Sequence, residues 1–230
     1  MRKNIALVLA VAVLAVPSAA RSQSAAQAQK FKLKPGASGN TCLECHATFQ
    51  DVLKKPFVHT PVKSKNCVGC HNPHASQHGK LLDANPSQTC LACHSDVVPK
   101  NAKSTHKPVA EKGCTGCHDP HASNAKFVLL KPGNELCGGC HKPILEQAAK
   151  SKFKHKPVEQ NCGACHDPHG SAKADDLLKI DVPALCVKCH KTDGQIFLKQ
   201  HMGYQVATSR CTSCHDPRSE EHTSELQSPY

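Results

Sequence analysis

The chain has 230 residues, a formal net charge of +11, 16 Cys and 17 His, but only six Phe, two Tyr and no Trp. So few aromatic residues exclude a large side-chain core for this length. They also exclude the stacking platforms that single-stranded nucleic acid needs, so the basic balance, which would otherwise point to a nucleic-acid partner, requires another origin.

The first predicted element is an export signal. Residues 1–20 read MRKNIALVLAVAVLAVPSAA, with Arg2 and Lys3 ahead of a 12-residue apolar run, Ile5 to Val16. Small residues follow, and cleavage is expected after Ser18-Ala19-Ala20 or as late as Ala26-Gln27-Ala28. The run is short of the roughly 20 residues that span a bilayer. No Cys follows it closely, which argues against a lipid anchor, and no later segment is apolar enough to cross a membrane. The mature chain is expected to be exported: periplasmic, outer-membrane-associated or extracellular.

The cysteines come next, in eight C-x-x-C pairs with none left over. They are Cys42/Cys45, Cys67/Cys70, Cys90/Cys93, Cys114/Cys117, Cys137/Cys140, Cys162/Cys165, Cys186/Cys189 and Cys211/Cys214. Each pair is followed at once by a histidine: His46, His71, His94, His118, His141, His166, His190 and His215. C-x-x-C-H is the attachment signature of haem c. Two thiols add to the two vinyl groups of one haem, and the adjacent His is held under the iron as its proximal ligand. Zinc sites use C-x-x-C but do not require His after every pair. A redox dithiol would be one motif rather than eight, and a disulfide framework needs no such unit. Eight haem c groups are the expectation.

The motifs repeat in twos. Odd-numbered motifs begin 48, 47 and 49 residues apart, and even-numbered ones 47, 48 and 49. Four two-haem repeats result: 31–78, 79–125, 126–174 and 175–217. Each carries a leader (GKLLDANPSQTCLACH, for example), a middle segment (FVHTPV, STHKPV, FKHKPV and the divergent LKQHMGY) and a closing motif such as CTGCHDPHAS. The middle segments supply His59, His106, His155 and His201, and the closing motifs supply His74, His121 and His169. Two additional His per two haems is the stoichiometry of bis-His iron, so these seven are expected as distal ligands. His78 has no counterpart in the other repeats. Which distal His serves which iron is left open, except that a His three residues after a proximal one is poorly placed to cap the same iron. Met202 is the only methionine outside the signal, and His201 beside it fits the repeat better as a ligand.

Close Pro and Gly punctuation predicts sparse secondary structure. Short helices are expected near 45–54, 143–152 and 193–201, with no convincing strand alternation. The haems themselves must then form much of the core, and folding should depend on them as zinc-finger folding depends on metal. After Pro217 the pattern stops. Residues 218–230, RSEEHTSELQSPY, are identified as the translation of a sequencing adapter and are expected to be foreign to the natural chain. Arg218 stands where three other repeats have His, and one iron is thereby left short of a partner.

These residues resemble the doubled C-x-x-C-H family of multihaem cytochromes c, over nearly the whole mature chain up to residue 217. The resemblance implies a haem-cored fold, mostly coil with short α-helices and little or no β-sheet. It implies electron transfer to and from redox partner proteins, such as other multihaem cytochromes and an outer-membrane porin, in anaerobic respiration. Two other functions are compatible with the motifs. One is a subunit of an extracellular cytochrome filament; the other is a multihaem reductase with one open iron, disfavoured because every motif ends in His. Haem also accounts for the charge. Each group brings two propionates against one ferric charge, so eight of them subtract about eight charges when oxidised and about sixteen when reduced. The Lys excess balances propionates, and nucleic acid is not an expected partner.

Overall fold

A computed structural model describes residues 39–204, 206 and 208–219. The export signal, the first residues of the first repeat and the tail from 220 lie outside them. All described residues belong to the unit Pro35–Tyr230.

Each C-x-x-C-H closes a single helical turn. In all eight the His backbone N–H donates to the carbonyl of the first Cys, four residues back, at 2.9–3.1 Å. That spacing puts both thiols and the imidazole on one side of the turn. Motifs 2, 4, 6, 7 and 8 are isolated 3-10 turns, beginning at Cys67, Cys114, Cys162, Cys186 and Cys211. The others sit in or beside the helices Gly39–Cys45, Pro86–Leu91 and Gly133–Gly138. The helices are short because proline sets their starts: Pro61, Pro108 and Pro157 lie in the first turns of Thr60–Lys63, Lys107–Glu111 and Lys156–Gln160. Proline lacks the N–H that a first turn leaves unpaired. Helices also form at Phe49–Val52, Lys142–Lys150 and Gln195–Gln200, where the sequence pointed to 45–54, 143–152 and 193–201.

The strands are two-residue clamps. β1 (Phe57–Val58) pairs antiparallel with β3 (Ala122–Ser123), Phe57 opposite Ser123 and Val58 opposite Ala122. β2 (Ser104–Thr105) pairs with β4 (Gly170–Ser171), Ser104 opposite Ser171 and Thr105 opposite Gly170. The middle segment of one repeat is thus bound to the end of the next. Gly170 has φ +142°, and a Cβ there would come within 3.2 Å of the Ser104 carbonyl oxygen, so this clamp needs glycine where β3 has Ala122.

Little apolar side chain is buried. Among the described residues the buried hydrophobics are Ala122, Ala125, Ala148 and Ala174, and no large side chain is fully buried. In place of a core is a connected cavity of about 4790 Å³. No helix among the described residues is long and apolar enough to cross a membrane.

Candidate haem-binding sites

The cavity is lined by all eight proximal histidines and by every motif cysteine except Cys45. Its volume amounts to about 600 Å³ per motif, within the roughly 300–1,000 Å³ of a single cofactor site. The donors fit haem c: each turn offers two free thiols and an imidazole on one side, facing a space too large for side chains to fill. Among the described residues no three His, Cys, Asp or Glu side chains converge to hold a bare metal ion.

Thiols of successive motifs are neighbours. Burial pushes the Cys67 thiol up, and Cys42 beside it adds repulsion and a hydrogen bond. Burial and Cys114 push Cys90 to about 11; burial and Cys162 raise Cys137; burial and Cys211 push Cys186 to about 11. These contacts join motif 1 to 2, 3 to 4, 5 to 6 and 7 to 8. Cys70 feels Cys93, Cys117 feels Cys137 and Cys140, and Cys186 feels Cys165, which join 2 to 3, 4 to 5 and 6 to 7. The eight sites follow one another in space in their order along the chain.

The imidazoles pair across the cavity with a regular register. His59 lies with its ring centre 5.9 Å from His94, His106 6.2 Å from His141 and His155 6.0 Å from His190, with ring planes 24–29° apart. Each middle-segment His therefore faces the proximal His of the second motif after it. His121 lies 6.1 Å from His71 and His169 6.1 Å from His118, at 13° and 15°. Each closing-motif His therefore faces the proximal His two motifs back. These separations are too wide for ring stacking. Two imidazole–metal bonds of about 2 Å, with about 1 Å from each ligating nitrogen to its ring centre, place collinear rings about 6 Å apart. His201 departs from the register, lying 6.1 Å from His215 of the very next motif with planes at 61°. His46 and His166 line the cavity, but neither is in a ring pair with another His among the described residues. His74 and His78 are exposed and lie outside the cavity lining.

Hydrogen bonds at Nδ1 fix which ring nitrogen is left for iron. His71, His118 and His166 donate from Nδ1 to the carbonyls of Lys80, Phe127 and Asp176, at 2.9, 2.8 and 2.8 Å. His59 donates to Pro120 O at 3.0 Å, His106 to Pro168 O at 2.9 Å and His201 to Phe197 O at 2.8 Å. A carbonyl only accepts, so Nδ1 carries the proton and the Nε2 lone pair remains for the metal, the usual outer-shell arrangement of a ligating histidine. Burial pushes His121 and His169 below the ordinary histidine range, against the pull of Asp119 and Asp167, and favours the neutral imidazole that ligates.

The carbonyls that receive the proximal histidines come from strained backbone. Lys80-Leu81, Phe127-Val128 and Asp176-Leu177 each hold two successive residues at φ between +50° and +60°. An L-residue there costs about 1–2 kcal/mol. The same device follows motifs 2, 4 and 6. No glycine marks it, so sequence reasoning missed it; the recurring Leu-Leu or Val-Leu-Leu ten to twelve residues after each of these proximal histidines is the only signal.

The doubled CXXCH motif family matches residues 59–99, 106–145 and 155–195, together more than half of the chain. Each match opens on a middle-segment His and closes just after the motif whose proximal His it faces. No curated protein matches the chain.

Proposed function

Because the chain belongs to the doubled CXXCH motif family and is a multihaem c-type cytochrome that binds haem covalently, we propose that it carries electrons along eight haems held in chain order. The haems, when bound, supply one-electron chemistry at iron. The residues of this chain do the rest. Each cysteine pair anchors a cofactor at a fixed point of a rigid turn. Carbonyls of Lys80, Phe127 and Asp176 hold three proximal imidazoles in one tautomer. His59, His106, His155, His121, His169 and His201 are assigned as distal ligands of the irons at His94, His141, His190, His71, His118 and His215. Two His ligands leave such irons no place for a substrate and give potentials below those of His/Met sites, which suits anaerobic respiration.

The observation that carries this reading is the single connected cavity lined by all eight proximal histidines, along which the thiols of successive motifs are neighbours. Electrons enter at one end from a redox protein and leave at the other, between periplasmic and outer-membrane or extracellular partners. The exported location rests on the N-terminal signal and on haem c attachment outside the cytoplasm. A pyridine haemochrome assay with a reductive titration tests it. Eight haems per chain, all reducible and reoxidisable without a bound substrate, are expected; fewer than eight, or an iron that cycles only with a substrate, would refute it.

A further inference from the structure

The ligand register has a consequence at position 218. In the three earlier closing motifs the residue after the proximal His is Asn or Asp, and its side chain accepts the backbone N–H of the His two residues on. His74 N–H donates to Asn72 at 3.1 Å, His121 N–H to Asp119 at 2.9 Å and His169 N–H to Asp167 at 3.1 Å. Arg218 N–H makes the same bond to Asp216, at 2.9 Å. The following residue is buried in the last three cases: Ala122 at 0% exposure, Gly170, and Ser219 at 3%. Gly170 N–H and Ser219 N–H both donate to the carbonyl of the turn aspartate, at 3.3 and 3.2 Å. The backbone through 216–219 thus follows the path of 119–122 and 167–170, and Arg218 lines the cavity as His121 and His169 do.

That slot serves the iron two motifs back, as His121 faces His71 and His169 faces His118. From position 218 the step leads to His166, the interior proximal His that is in no ring pair among the described residues. We infer that in this chain the haem held by Cys162, Cys165 and His166 has one protein ligand. Its open side, on the cavity that Arg218 also lines, binds a small exogenous anion such as cyanide. Arginine has no acceptor for iron and stays protonated, so it cannot replace the imidazole, while its charge favours an anion. The iron at His166 lies in the interior of the series. The inference rests on the bis-His reading above.

Cyanide titration of the ferric, haem-loaded protein tests it, with the haemochrome count run in parallel. Arg218→His is expected to keep eight haems and take up one cyanide equivalent fewer than the unsubstituted chain, whereas Arg218→Ala keeps the full uptake. If Arg218→His does not fold, Cys162→Ala with Cys165→Ala decides: it should lose one haem and one cyanide equivalent together. Unchanged uptake in Arg218→His, or loss of that haem with no loss of uptake, overturns the inference. A haem count below eight in the unsubstituted chain would instead count against the underlying reading.

Discussion

The interior repeats and the last one pair their imidazoles differently. His106, His121 and His169, each of which faces a proximal partner, sit beside a strand clamp. β2 and β4 bring His106 and His169 side by side, and the two rings face opposite ways along the series, toward His141 and His118. The last repeat is built differently. His201 follows the helix Gln195–Gln200 instead of starting one, packs on Phe197 at 4.1 Å, and faces His215 of its own repeat. The divergence of HMGY from H-[TK]-P-V thus has a physical reason. The proline that starts the interior helices is absent where the ring faces the very next motif, at His215. Interior imidazole pairs therefore join different repeats, and the terminal pair His201–His215 lies within one.

Removing one ligand from each region should break this comparison open. His121→Ala is expected to turn the iron at His71 high-spin and, by loosening the β1–β3 clamp, to lower the melting temperature by roughly 5 °C. His201→Ala should also free one iron but leave the melting temperature nearly unchanged. Equal thermal losses would mean that the clamp adds nothing to ligation.

A smaller effect is expected from the strained carbonyl donors. Val128→Gly removes a β-branched residue from φ +50° and should stabilise by about 1 kcal/mol, raising the melting temperature by about 2–4 °C. Val187→Gly, inside the Cys186–Lys188 turn, should destabilise by roughly 0.5–1 kcal/mol. Thermal melts of the two variants side by side check the opposite signs.

The smallest effect is on pH. Burial lowers the His121 and His169 pKa values, so the folded chain binds fewer protons there than the unfolded chain does. Their contribution is complete above the ordinary histidine pKa of about 6.5 and is lost as pH falls below it. Melting temperature should therefore fall on acidification from neutral pH, and less steeply in His121→Ala. A steeper fall in that variant would contradict the sign.

How much of this was legible beforehand follows from what each feature depends on. The anchors were legible because thioether chemistry fixes Cys, Cys and His within five residues. The scarcity of secondary structure followed from Pro, Gly and the missing aromatics. The histidines that face proximal ones were legible as a class, since the repeat presents His59, His106 and His155 in one frame and His121 and His169 in another. Their partners were not, because His71 and His121 lie in different repeats and meet only through the β1–β3 clamp, which two-residue strands do not announce in sequence. His74 shares the sequence frame of His121, yet lies outside the cavity: its frame points two motifs back, and no motif precedes motif 1 in this sequence. The left-handed pairs, Phe127-Val128 among them, are invisible to propensity because their residues are ordinary strand and core formers.

Low-temperature EPR of the fully ferric, haem-loaded protein tests the central claim most directly, since it counts irons by their axial ligands. Paired imidazoles at six sites predict that about six of eight irons are low-spin, with the high-spin remainder confined to the sites of His46 and His166. A predominantly high-spin spectrum from a protein carrying all eight haems would contradict it.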